Sequence, residues 1–174
     1  MLAQLARTIP SAAVLPKTIN AGALAAFLAP VITEDRARLL LRLKEYGLRE
    51  RTVTGDGACQ FRSLSDQLYR TQENHDTIRA VVVAQLKAGR EKYEMYVPQK
   101  YSSYLAEMAK EATWGDHITL QAFADTFGVQ VMVLTSFKTS CCIKIKPQKA
   151  RSTRVLWLAF WAEVHYNSIY PAEE

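Results

Sequence analysis

The hydrophobic period of this chain changes once, at Gly128, and that change dictates the class of fold. Upstream the apolar spacing is helical. Thr33, Glu34 and Asp35 read as a cap and an acidic first turn, Leu39, Leu40 and Leu43 as an apolar stripe, and Gly47 as a stop. Gly55-Asp56-Gly57 is a tight loop. After it Phe61, Leu64 and Leu68 space a second helix, with Ser63, Ser65 and Asp66 on its polar side. A third helix is predicted over roughly 75–88, with Ile78, Val81, Val82 and Leu86 inward, and a shorter one around Leu105, Met108 and Ala109. Asp116 caps a further helix that buries Leu120, Phe123, Ala124 and Phe127. Downstream of Gly128, Val129 to Leu134 is rich in β-formers, and Ile143 and Ile145 alternate with Lys144 and Lys146. Val155 to Phe160 runs unbroken, as in a strand covered on both faces, and 164–170 is a last extended piece. Helices first and a clustered, mostly C-terminal sheet last make an α+β domain, α/β only in the loose sense.

At 174 residues, 49% hydrophobic and 22% charged, the chain has the bulk for one packed core. A disordered tail, a coiled-coil rod and a disulfide-framework miniprotein are excluded. The three cysteines include the adjacent Cys141 and Cys142 and no C-x-x-C pair, so free thiols in a reducing compartment are expected, cytoplasmic or nuclear. Residues 1–33 stand apart, with nine alanines and no acid. They read as an N-terminal extension preceding a domain over 34–174, with an organellar leader left open. Their longest apolar run, Ala21 to Ile32, contains Pro30 and is too short to span a bilayer.

Net charge is +5, and residues 126–162 carry six Lys or Arg and no acid. Lysines guard sheet edges, so this stretch reads as a solvated hairpin edge; a patch for an acidic partner or nucleic acid is the rival reading. No nucleic-acid partner is expected, nor any oligomer beyond a monomer.

The chemistry points first to Cys59. It follows Gly55-Asp56-Gly57-Ala58 and opens a helix, where the helix N-terminus favours a thiolate and converging N–H groups suit an acyl-transfer oxyanion. Of three histidines, His75 lies in a polar turn and His117 in a first helical turn. His165 lies in an extended piece two residues before Asn167, so the two share a strand face. Cys59, His165 and Asn167 thus supply the nucleophile, base and orienting group of a thiol hydrolase. Cys141-Cys142 lacks zinc-ligand spacing, and no phosphate-binding loop or dinucleotide fingerprint is present.

Three blocks carry a family resemblance. They are Gly55-Asp56-Gly57-Ala58-Cys59-Gln60-Phe61-Arg62, Trp114 to Ala122, and Trp161-Ala162-Glu163-Val164-His165-Tyr166-Asn167-Ser168. In this order, with 106 positions from Cys59 to His165, they resemble the ovarian-tumour (OTU) domain cysteine proteases, above all the plant members. The resemblance runs from about Glu34 to Tyr170. It implies a papain-like fold with Cys59 as nucleophile, His165 as base, Asn167 as orienting residue and Asp56 as a loop acid of the site. It also implies an oxyanion hole from backbone N–H groups of Asp56, Gly57, Ala58 and Cys59, and a groove shaped by Trp114, Asp116, Glu163 and Tyr166. The implied substrate is the isopeptide bond at the C-terminal glycine of ubiquitin or polyubiquitin, with no metal or organic cofactor. A ubiquitin-binding module of weak activity, or a hydrolase for another ubiquitin-like modifier, are the alternatives. Many members carry Asn where this chain has Ala58, so a side-chain brace is missing there and a tuned activity is expected.

Overall fold

The computed structural model describes residues 34–173, and from Asp35 onward the chain packs as one compact unit. The extension over 1–33, including the Thr33 cap, lies outside the described residues. In chain order the elements are α1 (34–45), β1 (Leu48–Arg51), α2 (Cys59–Tyr69), α3 (His75–Ala88), α4 (Arg90–Tyr93) with a 3-10 turn at Glu94–Tyr96, and α5 (Tyr101–Met108). Then come α6 (His117–Phe127), β2 (Gln130–Thr135), β3 (Cys142–Ile145), β4 (Val155–Trp161) and β5 (His165–Pro171). The change of period at Gly128 is real: Gly128 closes α6 in the left-handed conformation, φ 64°, and β2 starts two residues on.

The strands form a single mixed sheet in the order β1-β5-β4-β2-β3. β4 pairs parallel with β2 and every other neighbour is antiparallel. The larger core lies on one face, where Phe61, Leu64, Ile78, Val82, Leu86 and Phe123 meet Val131, Val133, Leu156 and Leu158. On the other face Leu39 and Leu43 of α1 cover Leu134, Ala159 and Ile169. β4 is therefore buried from both sides, as its unbroken apolar run requires. Leu40, by contrast, turns out to solvent.

β1 was not foreseen. Leu48-Arg49-Glu50-Arg51 alternates apolar and charged residues too briefly to announce a strand, and it forms because the edge of β5 offers it a ladder. The short helix α4 and its 3-10 turn were likewise not anticipated. The basic stretch behaves as expected at the opposite edge: Lys144 and Lys146 are exposed along β3. Arg151 and Arg154 are instead tied to backbone carbonyls, Arg151 to Asp125 and Arg154 to Leu68 and Gln67.

The main correction concerns α2. Its supposed polar side, Ser63, Ser65 and Asp66, is buried, and eight of its eleven residues are inside. An amphipathic reading fails because this helix is enclosed, and Ser65, Asp66 and Gln67 bond to loops and strands instead of water, while the Ser63 hydroxyl is buried without a partner. Ser65 Oγ donates to Thr71 O at 2.6 Å, and Asp66 accepts from Tyr170 Oη at 2.6 Å and pairs with Arg51. Gln67 spans to β5 and β4, donating to Ile169 O and accepting from Trp157 N–H. These bonds fix the rotation and height of α2 against the sheet more specifically than apolar contact would. Among the described residues no helix is long and apolar enough to cross a membrane.

Candidate active site

Cys59 is the first residue of α2 and is 3% exposed. Its helix start has no side-chain cap, since Ala58 stands at the N-cap, so the first-turn N–H groups remain available. Burial pushes the thiol above its ordinary value. Backbone N–H groups of Tyr166, Gln60 and Cys59 itself pull the other way, stabilising the thiolate, while the Asp56 charge adds a small upward push. The net direction at the sulfur is upward, so the favourable helix N-terminus does not offset burial. Deprotonation needs a base.

β5 brings the candidate base, His165, to the nucleophile loop. Tyr166, whose backbone N–H favours the Cys59 thiolate, is the residue after His165. The imidazole packs on the nucleophile loop: a β-carbon at Gly55 would lie 3.7 Å from His165 Cε1 and 3.8 Å from Nδ1. Asn167 is buried on the same strand face as His165. Its hydrogen bonds go elsewhere, however. Asn167 Oδ1 accepts from Val53 N–H at 3.2 Å, and Nδ2 donates to Glu50 Oε1 at 3.3 Å.

Asp56 braces the loop. Its Oδ1 accepts from Ala58 N–H at 3.0 Å, and its Oδ2 accepts from Arg62 Nε at 3.0 Å and from the Arg62 terminal nitrogen at 2.6 Å. The support missing from the Ala58 side chain is thus supplied by a carboxylate two residues earlier. The same bond corrects the oxyanion assignment: Ala58 N–H is committed to Asp56 and drops out of the set. The Arg62 guanidinium holds the Asp56 carboxyl down at about 2. A carboxyl lowered on folding stabilises the fold above its unfolded value and loses that contribution as pH falls toward the folded one. The difference in unfolding free energy between wild type and Asp56→Asn should therefore be flat above about pH 5 and shrink on acidification toward about pH 2. Denaturant titrations across that range check it.

Two of the four groove candidates face solvent and two do not. Trp114 is 46% exposed, and Glu163 is exposed at the β4–β5 turn with a left-handed φ of 58°. Tyr166 is buried, stacked on Phe160 with ring centroids 4.3 Å apart. Asp116 is occupied in a capping box, accepting from Ile118 and Thr119 N–H while Thr119 Oγ accepts from Asp116 N–H, and it also accepts from Tyr104 Oη. Its segment acts on the neighbour of the nucleophile instead. Gln60 Nε2 donates to Asp116 O at 3.1 Å, and Gln60 Oε1 accepts from Thr119 Oγ at 2.7 Å. Gly115 leaves room for this, since a β-carbon there would fall 2.2 Å from Gln60 Oε1.

Sequence reasoning missed Gln60, Arg62 and Arg79. Arg79 is 3% exposed and donates to the carbonyls of Met108, Glu111 and Thr113, pinning the segment on which Gly57 rests. Polar residues on a helix read as surface unless some signal marks them as buried, and an arginine in α3 carries none. His75 is half-buried beside Asp76, and His117 is exposed as the first residue of α6. All three cysteines are free. Among the described residues no cluster of His, Cys, Asp and Glu could hold a metal ion.

A buried thiol at a helix start, entered by a loop against which a strand histidine packs, points to a class: the cysteine hydrolases of papain-like arrangement. Within that class the chain belongs to the OTU-like cysteine proteases, whose family model matches residues 54–168. It is 57% identical over 140 residues to OVARIAN TUMOR DOMAIN-containing deubiquitinating enzyme 9 of Arabidopsis thaliana, covering 80% of this chain and 41% of that one. Enzyme 12 of the same plant is 57% identical over 138 residues, covering 79% of this chain and 63% of that one. The chain thus spans less than two thirds of either relative. Among solved structures, the OTU domain of OTUD1 superposes with a TM-score of 0.63 at 17% identity, covering 84% of this chain and 98% of that one. An OTU domain in complex with ubiquitin gives 0.58 at 16% identity over 70% of this chain and 69% of that one. The fold is the OTU fold, as the three sequence blocks implied.

Proposed function

We propose that this chain is a thiol-dependent deubiquitinase that hydrolyses the isopeptide bond at the C-terminal glycine of ubiquitin. One observation carries the reading: the imidazole of His165 lies against Gly55, on the loop that leads into Cys59 at the start of α2. The 57% identical relatives named as deubiquitinating enzymes supply the substrate class.

His165 takes the Cys59 proton, and the thiolate attacks the glycine carbonyl. The Cys59 N–H, freed from the sulfur as the new C–S bond forms, and the loop N–H groups at Asp56 and Gly57 receive the developing oxyanion, while the Ala58 N–H stays on Asp56. His165 then protonates the departing lysine amine, and water, deprotonated by the same imidazole, hydrolyses the thioester. Asn167 orients the imidazole: its Oδ1 has a second lone pair beyond the one given to Val53. Trp114 and Glu163 are the groove residues that remain open to the substrate tail.

The test is a ubiquitin carrying a C-terminal electrophile. Wild-type protein is expected to gain one ubiquitin mass, with the adduct mapped to Cys59. Folded wild-type protein that forms no adduct but binds ubiquitin would favour a binding module. Adducts only with another ubiquitin-like probe would move the substrate to that modifier.

A further inference from the structure

Behind Asn167 lies a charge pair that the catalytic steps do not use. Arg36 on α1 donates to both oxygens of Glu50 on β1, at 2.9 Å to Oε1 and 2.5 Å to Oε2. Glu50 Oε1 also accepts from Asn167 Nδ2. The Glu50 side chain is only 9% exposed, whereas that of Arg36 is 30% exposed. An exposed ion pair contributes little to stability, so a carboxylate drawn under cover here calls for another account.

The geometry supplies one. A carboxamide can lie either way round, and only its neighbours decide which. Val53 offers a donor and Glu50 an acceptor, so Asn167 must present Oδ1 to the first and Nδ2 to the second. Val53 sets the polarity of the amide; Glu50, clamped by Arg36, holds its plane. The same guanidinium sits 5.4 Å from the centroid of Trp161, and Trp161 is the residue of β4 paired with His165. One arginine therefore touches Glu50, which holds Asn167 two residues along the histidine's own strand, and Trp161, the register partner of His165 on the next strand.

We propose that Arg36 and Glu50, which precede the stretch matched by the family model, are positioning residues that fix the Asn167 carboxamide and through it the His165 imidazole. This rests on the roles proposed for Cys59, His165 and Asn167, but not on ubiquitin being the substrate. Holding an orienting group within a fraction of an ångström is what such a clamp contributes to rate.

The test is a double-mutant cycle on the full chain, read by alkylation of Cys59 with chloroacetamide at neutral pH and followed by peptide mass. The reagent consumes thiolate and needs no ubiquitin. Glu50→Ala is expected to slow alkylation roughly tenfold in the wild-type background and to change it less than about twofold in the Asn167→Ala background. Glu50→Gln, which keeps an acceptor for Nδ2, should recover most of the rate; a merely structural loss would show no such rescue. Losses that multiply across the two backgrounds would overturn the proposal. So would a wild-type rate in either single variant. If Glu50→Ala does not fold, Arg36→Met is put through the same cycle, with the same two readings. With a ubiquitin amide as substrate, Glu50→Ala should lose kcat while keeping KM, and Glu50→Gln should keep most of both. A non-additive alkylation cycle in a protein that cleaves no ubiquitin amide would uphold the positioning roles and end the deubiquitinase reading.

Discussion

Replacing Cys59 with serine is expected to leave no measurable cleavage of a ubiquitin isopeptide bond, and replacing His165 with alanine to lower cleavage roughly a thousandfold. The reason is the balance at the sulfur. Burial raises the thiol, and the three N–H groups aimed at it do not fully reverse that shift. In the proposed mechanism proton removal falls to His165, and a serine hydroxyl, far less acidic than a thiol, would present the base with a harder task in a site already unfavourable to charge. The pH dependence separates the two variants. Without the imidazole, only the spontaneously ionised thiol reacts, so the residual rate of His165→Ala should climb about tenfold per pH unit up to the ordinary thiol range and beyond. The profile of wild type should level off well before. Steady-state rates across neutral to alkaline pH check both. A His165→Ala variant with the wild-type profile would remove His165 from the base role. Any turnover by Cys59→Ser at the wild-type pH optimum would remove the requirement for a thiol.

The candidate reacting groups stand out in the sequence and the residues that pack around them do not, for a physical reason. Cys59 and His165 are marked by their settings: a glycine-rich loop entering a helix, and an extended segment with Asn167 two positions on. Their supports are polar residues with ordinary surface chemistry. Gln60 and Arg79 become intelligible only when the partners from α6 and from the segment after α5 are known, and those partners are distant in the chain. Arg36 and Glu50 belong to the same group, because their link to Asn167 closes across a sheet edge. The same limit explains the errors in α2 and β1. Ser63, Ser65 and Asp66 look like a solvent face until strands and loops enclose them, and Leu48–Arg51 becomes a strand only through pairing with β5. Local pattern reports the period of an element. What lies on its polar side is a property of the whole fold.

The second large effect is expected at a residue with no side chain. Gly57 has φ of 88°, a region that L residues rarely adopt. A β-carbon there would stand 2.2 Å from Ala112 O and 2.8 Å from its carbonyl carbon. These are backbone atoms, and they cannot swing aside. Nor can the segment carrying Ala112 retreat freely, because Arg79 grips the carbonyls of Met108, Glu111 and Thr113. Gly57→Ala must therefore displace the nucleophile loop, two residues from Cys59 and inside the bracket that Asp56 forms with Ala58. Strain of this kind costs on the order of 2 kcal/mol in stability. A displacement near an ångström at the oxyanion donors should lower kcat roughly a hundredfold, beyond what the lost stability explains at temperatures where the variant is folded. Gly55→Ala is the control. Its β-carbon would meet His165 at ordinary contact distance and at no unusual φ, so a few-fold loss at most is expected there. Thermal unfolding and steady-state kinetics on the two variants give the comparison. If Gly57→Ala lost stability but kept kcat, the loop amides would not be the groups that stabilise the oxyanion. If it kept both, the approach of Ala112 to the loop would be looser than the Arg79 clamp requires.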